Sequence, residues 1–305
     1  MSVVVASRPK QDFVNTPYIA ELTERAMGYL DAGFGLNLEG HAGSGKTTLA
    51  FHIAYLLGRP LVLMSGDEGL VSSDMVGRVG GFRRRKLVDN FIHSVVKVEE
   101  EERENWIDDR LTVACRDGYT LIYDEFTRSR AEANNILLPV LEERLLVLPS
   151  SQGSSSYIKV HPEFRAIFTS NPEDYAGVHT VQEALHDRLV TMELGTVDKE
   201  TELAIVSRKS GLPAAAVKGI VEVVRTAHEQ GVGKRTLGSI RASLQIAKVA
   251  AVRELEVSAD NAAFCQIVFD VLNNSIVKDD ASQETRTHLM QLLSEYTGDI
   301  DYAYA

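Results

Sequence analysis

Read for hydrophobic and polar spacing alone, the chain divides in two. Up to about residue 195, short unbroken apolar runs alternate with stretches of helical spacing. Thr16-Pro17 opens the first helical pattern, in which Ile19, Leu22, Ala26, Tyr29 and Leu30 recur on one face and Glu21 lies in the first turn. A strand is predicted over 33–38 and a helix over 47–57. "RPLVLMSG", "TLIYDE", "RAIFTS" and "LVTMEL" predict four further strands, with a helix over 130–143 before "RAIFTS". Runs that are apolar at every position mark strands buried on both faces, so the pattern predicts an α/β fold with a five-stranded parallel sheet. After Gly195 only helical spacing remains, near 199–210, 213–229, 236–253, 260–274 and 283–296. The expected division is an α/β domain over 1–195 and an all-α domain over 196–305.

Two segments interrupt the alternation. One follows the second strand near 66–92. The other, near 145–163, alternates about a Ser-rich centre and predicts a β-hairpin. "RRRK" (83–86) lies in the first, read as a solvated loop or a partner contact. "EEEERE" (99–104) reads as a solvated face.

Composition narrows the functions. The 305 residues are 44% apolar and 25% charged, an ordinary globular mixture, and the net charge of −11 argues against general nucleic-acid binding. Cys115 and Cys265 stand far apart in apolar surroundings, which predicts reduced thiols in a cytoplasmic protein. The N-terminal apolar run is too short for a secretory signal. The longest apolar stretch, 49–64, is broken by His52, Gly58, Arg59 and Pro60, so no membrane span is expected. The eight histidines show no ligand spacing.

"GHAGSGKT" satisfies G-x-x-x-x-G-K-[ST] and stands between a predicted strand and a predicted helix. The glycines let backbone N–H groups curl around a β-phosphate at the positive end of that helix. The loop predicts contacts from Gly40, His41, Ala42, Gly43, Ser44, Gly45, Lys46, Thr47 and Thr48. In it, Lys46 reaches the β/γ oxygens and the Thr47 hydroxyl ligates Mg²⁺. A plain Gly-rich turn is the alternative. "TLIYDE" delivers Asp124 and Glu125 to the sheet edge, where Asp124 would hold Mg²⁺ and Glu125 would polarise an attacking water; a helix N-cap is the plainer reading. The Asp-Glu pair favours ATP over GTP. "FTSNP" ends the fourth strand on Asn171 and Pro172, residues that turn chemistry alone also favours.

Together these motifs resemble AAA+ ATPases. The hairpin, the first insertion, "LLPVLEERLLVLP" and "FTSNP" are similar to the MoxR-type branch. "LNLEGHAGSGKTTLAFHIA", "GDEGLVSSDMVG", "FIHSVVK" and "YDEFTRSRAEANNILLPVLEE" resemble the gas vesicle protein N family, over about 16–250. The resemblance implies an α-helical lid, ATP and Mg²⁺ as ligands, and a self-assembled ring, most often a hexamer. It implies sensor 1 at Asn171, a finger reaching a neighbour's ATP at Arg188 in "EALHDRL", and sensor 2 at Arg241 in "GSIRASL". An ordinary helix C-terminal arginine is the other reading of Arg188. Ile240 replaces the family's commoner Pro, which leaves Arg235 in "GKRTLG" as a rival. It further implies remodelling of protein clients in gas vesicle biogenesis, with vesicle structural or accessory proteins as partners and a location in the cytoplasm or at the vesicles. The competing readings are a MoxR-type activator of a carboxylase or nitric oxide reductase complex, a nucleotide-switched scaffold, and a DNA helicase or loader. The acidic balance weighs against the last.

Overall fold

The computed structural model describes residues 4–5, 13–92, 95–148, 156–171, 183–231, 240–273 and 281–297. The strands are β1 (Val4–Val5), β2 (Gly35–Gly40), β3 (Leu61–Ser65), β4 (Gly77–Ile92), β5 (Val95–Asp108), β6 (Thr120–Asp124), β7 (Leu145–Leu148), β8 (Ser156–Lys159), β9 (Arg165–Ser170) and β10 (Leu189–Leu194). The helices are α1 (Pro17–Asp31), α2 (Lys46–Leu56), α3 (Ser72–Val76), α4 (Arg110–Asp117), α5 (Ala131–Asn134), α6 (Leu137–Leu141), α7 (Glu183–His186), α8 (Lys199–Ser210), α9 (Ala214–Glu229), α10 (Ile240–Val252), α11 (Ala262–Asn273) and α12 (Ala281–Thr297).

The main sheet runs β1-β3-β6-β9-β2-β10, with the last five strands parallel. β1 pairs antiparallel with β3 through Val4↔Val62 and Val5↔Leu61, an edge strand that the apolar pattern did not predict. Alternation along the central strands explains their unbroken apolarity. Leu121, Tyr123, Ala166 and Phe168 pack on the face that carries α4 and α6 residues, whereas Ile122 and Ile167 pack with α1 and α2 on the other. Burial of the leucine, isoleucine and phenylalanine side chains among them contributes about 1.5–3 kcal/mol each.

The chain ends of these elements follow local chemistry. Thr16 caps α1, accepting from the Ile19 amide, and Pro17 takes the first helical position, where its missing N–H is no loss. Asp198 caps α8 through the Thr201 amide at 2.9 Å. The helix expected over 130–143 is instead two short pieces, α5 and α6. The break follows from Pro139, which has no N–H for the Asn135 carbonyl four residues back; the Leu138 amide bonds that carbonyl instead.

The first insertion is longer than the expected 66–92. β4 and β5 form an antiparallel hairpin that continues to Asp108, since a strand that leaves the sheet needs a partner for its backbone groups. Its register sets Arg84 across from Glu102, Arg85 from Glu101 and Lys86 from Glu100, so the basic and acidic runs are ladder partners. The second hairpin pairs Leu145–Leu148 with Ser156–Lys159. Beyond Leu194 the described residues hold only helices, around a core that includes Val206, Ile220, Val224, Ile246, Phe264 and Leu293. Among the described residues no helix is long and apolar enough to cross a membrane.

Candidate active site

Strand order creates the site. β6, β9 and β2 are neighbours and parallel, so Asp124, Ser170 and Gly40 all stand at the same edge of the sheet. The Gly40–Lys46 loop leaves β2 there, Asp124 ends β6 with Glu125 next in the chain, and Asn171 follows β9. A cavity of about 590 Å³ covers this edge, lined by the loop together with Glu125, Thr169, Asn171 and, from α10, Arg241. Its other wall is apolar and includes Phe13, Val14, Tyr18 and Ile19.

Gly45 caps α2 in the left-handed region at φ 94°, with no side chain bonding the first amides of the helix, whose N-terminal N–H groups therefore remain available. Lys46 is buried. Its ammonium donates to the carbonyls of Gly40 at 2.6 Å and His41 at 2.7 Å. Burial lowers its pKa below the ordinary lysine value, opposed by the charges of Asp124 and Glu125, while Arg241 adds to the lowering.

One carboxylate oxygen organises the opposite side. Asp124 Oδ1 accepts from the Thr47 hydroxyl at 2.8 Å and from the Thr169 hydroxyl at 2.6 Å. Glu125 is not part of the strand but turns into the left-handed region at φ 52°, uncommon for a residue with a Cβ. Three contacts hold that turn. The Glu125 amide donates to Thr169 Oγ1 at 2.8 Å, the Gly66 amide donates to the Asp124 carbonyl at 2.7 Å, and buried Phe126 packs edge-on to Phe168 with centroids 5.3 Å apart. The Gly66 backbone lies so close that a Cβ there would stand 2.0 Å from the Glu125 carbonyl oxygen. The Glu125 carboxylate pairs with Arg128 Nε at 3.0 Å, both side chains about half exposed.

Asn171 Oδ1 and Ser44 Oγ are buried without a hydrogen-bond partner, an uncommon state that a bound polar ligand would relieve. A small hard cation also fits. Thr47 and Asp124 present two oxygens side by side, and Mg²⁺ typically takes one or two protein ligands and completes its shell with phosphates and water. No group of three or more His, Cys, Asp or Glu side chains able to hold a metal occurs among the described residues.

The structure thus gathers residues 42–48, Glu125, Asn171 and Arg241 around one cavity, with Asp124 joined to it through the Thr47 hydroxyl. Arg188 stands apart, its guanidinium bonded to Glu142, at 2.8 Å from Nε, and to the Ala184 carbonyl. Arg235 and Pro172 lie outside the described residues. The sequence reading missed Thr169, Gly66 and Arg128. A threonine in a β-strand is ordinary, and only its neighbours across the sheet distinguish it.

The parallel sheet with its phosphate loop, the Asp-Glu strand end and the helical C-terminal part define an AAA+ P-loop ATPase. Residues 35–189 match the AAA domain (dynein-related subfamily). The chain is 47% identical over 294 residues to "Gas vesicle ATPase GvpN" of Ancylobacter aquaticus, covering 95% of this chain and 82% of that one. It is 43% identical over 229 residues to "Gas vesicle ATPase GvpN2" of Halobacterium salinarum, covering 74% and 67%. A more distant relative is "Protein CbbQ" of Hydrogenophilus thermoluteolus, 27% identical over 64% of this chain and 66% of that one. The chain belongs to the GvpN family of ATPases, within the MoxR type of the AAA+ class.

Proposed function

We propose that the cleft binds ATP with its phosphates along residues 40–48 and hydrolyses it to remodel or assemble protein clients in gas vesicle biogenesis, most directly growth of the vesicle shell. The supporting observation is the meeting of Thr47, Asp124, Thr169 and Glu125 in one hydrogen-bonded chain beside the loop. In this reading Lys46 leaves the Gly40 and His41 carbonyls for the β/γ oxygens. Thr47 and Asp124 hold Mg²⁺, which would neutralise charge on the transferring phosphoryl group. Glu125 leaves Arg128, orients the attacking water and accepts its proton. Asn171 bonds that water or the γ-phosphate without adding negative charge, and Arg241 covers the γ-phosphate from the lid. The apolar wall at Phe13, Val14, Tyr18 and Ile19 takes the base.

The division into an α/β domain over 1–195 and a lid over 196–305 belongs to the same reading, because the helical part has its own core and reaches the cleft through α10. So does a ring, six-membered as the family resemblance implies, in which Arg188 completes a neighbour's site. Vesicle structural or accessory proteins are the proposed clients, on the strength of similarity to gas vesicle ATPases at 47% and 43% identity against 27% for CbbQ.

Paired variants test the chemistry. Glu125→Gln should bind ATP and not turn it over, whereas Lys46→Ala should lose both. Normal hydrolysis by the Glu125→Gln protein would sink the assignment of the base. For the role, vesicle yield in cells carrying only the Glu125→Gln chain should collapse; unchanged yield would separate the ATPase from vesicle formation.

A further inference from the structure

We propose that Thr169 is a positioning residue for hydrolysis, its hydroxyl fixing the metal-side carboxylate of Asp124 and the backbone of Glu125 relative to each other. The inference rests on the ATPase reading of the cleft and adds to it a residue on a different strand.

Thr169 has no accessible surface. A hydroxyl buried there costs free energy unless it is bonded, and a valine of nearly the same shape would avoid that cost. The hydroxyl is instead used twice. It donates to Asp124 Oδ1 at 2.6 Å and accepts from the Glu125 amide at 2.8 Å. Both partners belong to the β6 end, 45 and 44 residues away in sequence, and neither lies on its own strand. The next residue behaves differently, since the Ser170 hydroxyl donates to Asn37 Oδ1 at 3.0 Å on β2.

The two bonds act on different degrees of freedom. The donated bond occupies one lone pair of Oδ1 and limits rotation of the Asp124 carboxylate, so that the oxygen bonded to Thr47 keeps its direction. The accepted bond ties down the amide of a residue at φ 52°, a conformation a glutamate does not favour by itself. Releasing it frees the Glu125 turn to relax towards ordinary dihedrals and swings the carboxylate from its place in the cleft. Thr169 touches neither water nor phosphate in this account. It acts through the two carboxylate residues, as outer-shell partners of metal ligands do.

Thr169→Val, Thr169→Ser and Glu125→Gln, compared with the full-length wild type, test it. The Val variant should lower kcat by about ten- to a hundredfold, the range typical of lost outer-shell partners, a larger effect than its rise in KM for ATP. Two readouts do not depend on turnover. The gain in affinity for a fluorescent ATP analogue on adding Mg²⁺ should shrink. Without nucleotide, hydrogen exchange of the peptide over 121–128 should quicken. The Ser variant, which keeps donor and acceptor, should restore all three. If Val fails to fold, Thr169→Ala against Thr169→Ser makes the same comparison. A Val variant with wild-type kcat, Mg²⁺ response and exchange overturns the proposal, as does a Ser variant that loses as much as Val. Should Glu125→Gln hydrolyse normally, the reading of the cleft fails. Should it be dead while Val is normal, only the role of Thr169 fails.

Discussion

The Thr47 hydroxyl donates to Asp124 Oδ1 at 2.8 Å across 77 residues of chain. The first turn of α2 and the end of β6 meet there because β9 alone separates β2 from β6 in the sheet. Asp124→Asn keeps the shape and an oxygen for the two hydroxyls but removes the charge. Its melting temperature should match the wild type in the absence of nucleotide. Mg²⁺-dependent hydrolysis should drop by on the order of a hundredfold, the loss of a few kcal/mol of charge stabilisation. Removing Mg²⁺ with a chelator should reduce the wild type to the same residual rate.

Gly66 ties the first insertion to the Glu125 turn. Its amide bonds the Asp124 carbonyl at 2.7 Å, and the next amide, of Asp67, bonds Ser129 Oγ at 3.1 Å. Gly66→Ala forces a methyl against the Glu125 backbone. The backbone must shift, at a cost of about 1–3 kcal/mol. Hydrolysis should fall while binding of the fluorescent ATP analogue is kept, with the melting temperature lowered. Unchanged turnover at a lowered melting temperature would show that the insertion's root does not control Glu125.

Arg188 is held by Glu142 and the Ala184 carbonyl, away from the cavity of its own chain. Such a partly exposed ion pair contributes about 0–1 kcal/mol to stability. Arg188→Ala should therefore fold and bind ATP normally. Its hydrolysis should fall by on the order of a thousandfold if the guanidinium serves as an arginine finger. Mixing it with Lys46→Ala subunits should recover part of the activity, because one partner supplies the finger and the other the binding site. No recovery from mixtures shown to co-assemble would refute the shared site.

Cys115 lies in the core between α4 and the sheet, and burial pushes its thiol pKa well above the ordinary 9.0. The unfolded chain therefore loses this proton near pH 9 while the folded chain keeps it. Stability from this group is complete below that pH and declines as pH rises above it. Chemical denaturation at rising alkaline pH should show a steeper loss for the wild type than for Cys115→Ala. Native protein at neutral pH should react slowly with thiolate-seeking reagents, and Cys265, also buried and raised chiefly by burial, should behave alike.

The parts of the fold legible from sequence were those that local physics enforces. Strands buried on both faces must be apolar at successive positions, and "LIY" and "AIF" are. Thr16-Pro17 could be recognised as a helix start because the cap and the proline act within one turn. The β4–β5 hairpin was not legible, since its charged runs carry no strand periodicity and its strands exist through each other's backbone groups. The Val4–Val5 strand was missed for a similar reason, as two valines become a strand only where β3 offers a free edge. The split at 135–136 was hidden by apolar spacing that continues through Pro139.

By itself the sequence determined the chemistry available. It supplied a glycine loop shaped for phosphate, a lysine and a threonine at fixed offsets, an Asp-Glu pair and an Asn at strand ends. Those follow from short-range dihedral preferences and from periodicity. Tertiary structure alone decided which of these groups meet, because strand order is a non-local property. It placed β9 between β6 and β2, made the Thr169 hydroxyl the link between Asp124 and Glu125, and set Gly66 against a glutamate held in the left-handed region. It also turned Arg188 away from the cavity of its own chain, onto Glu142.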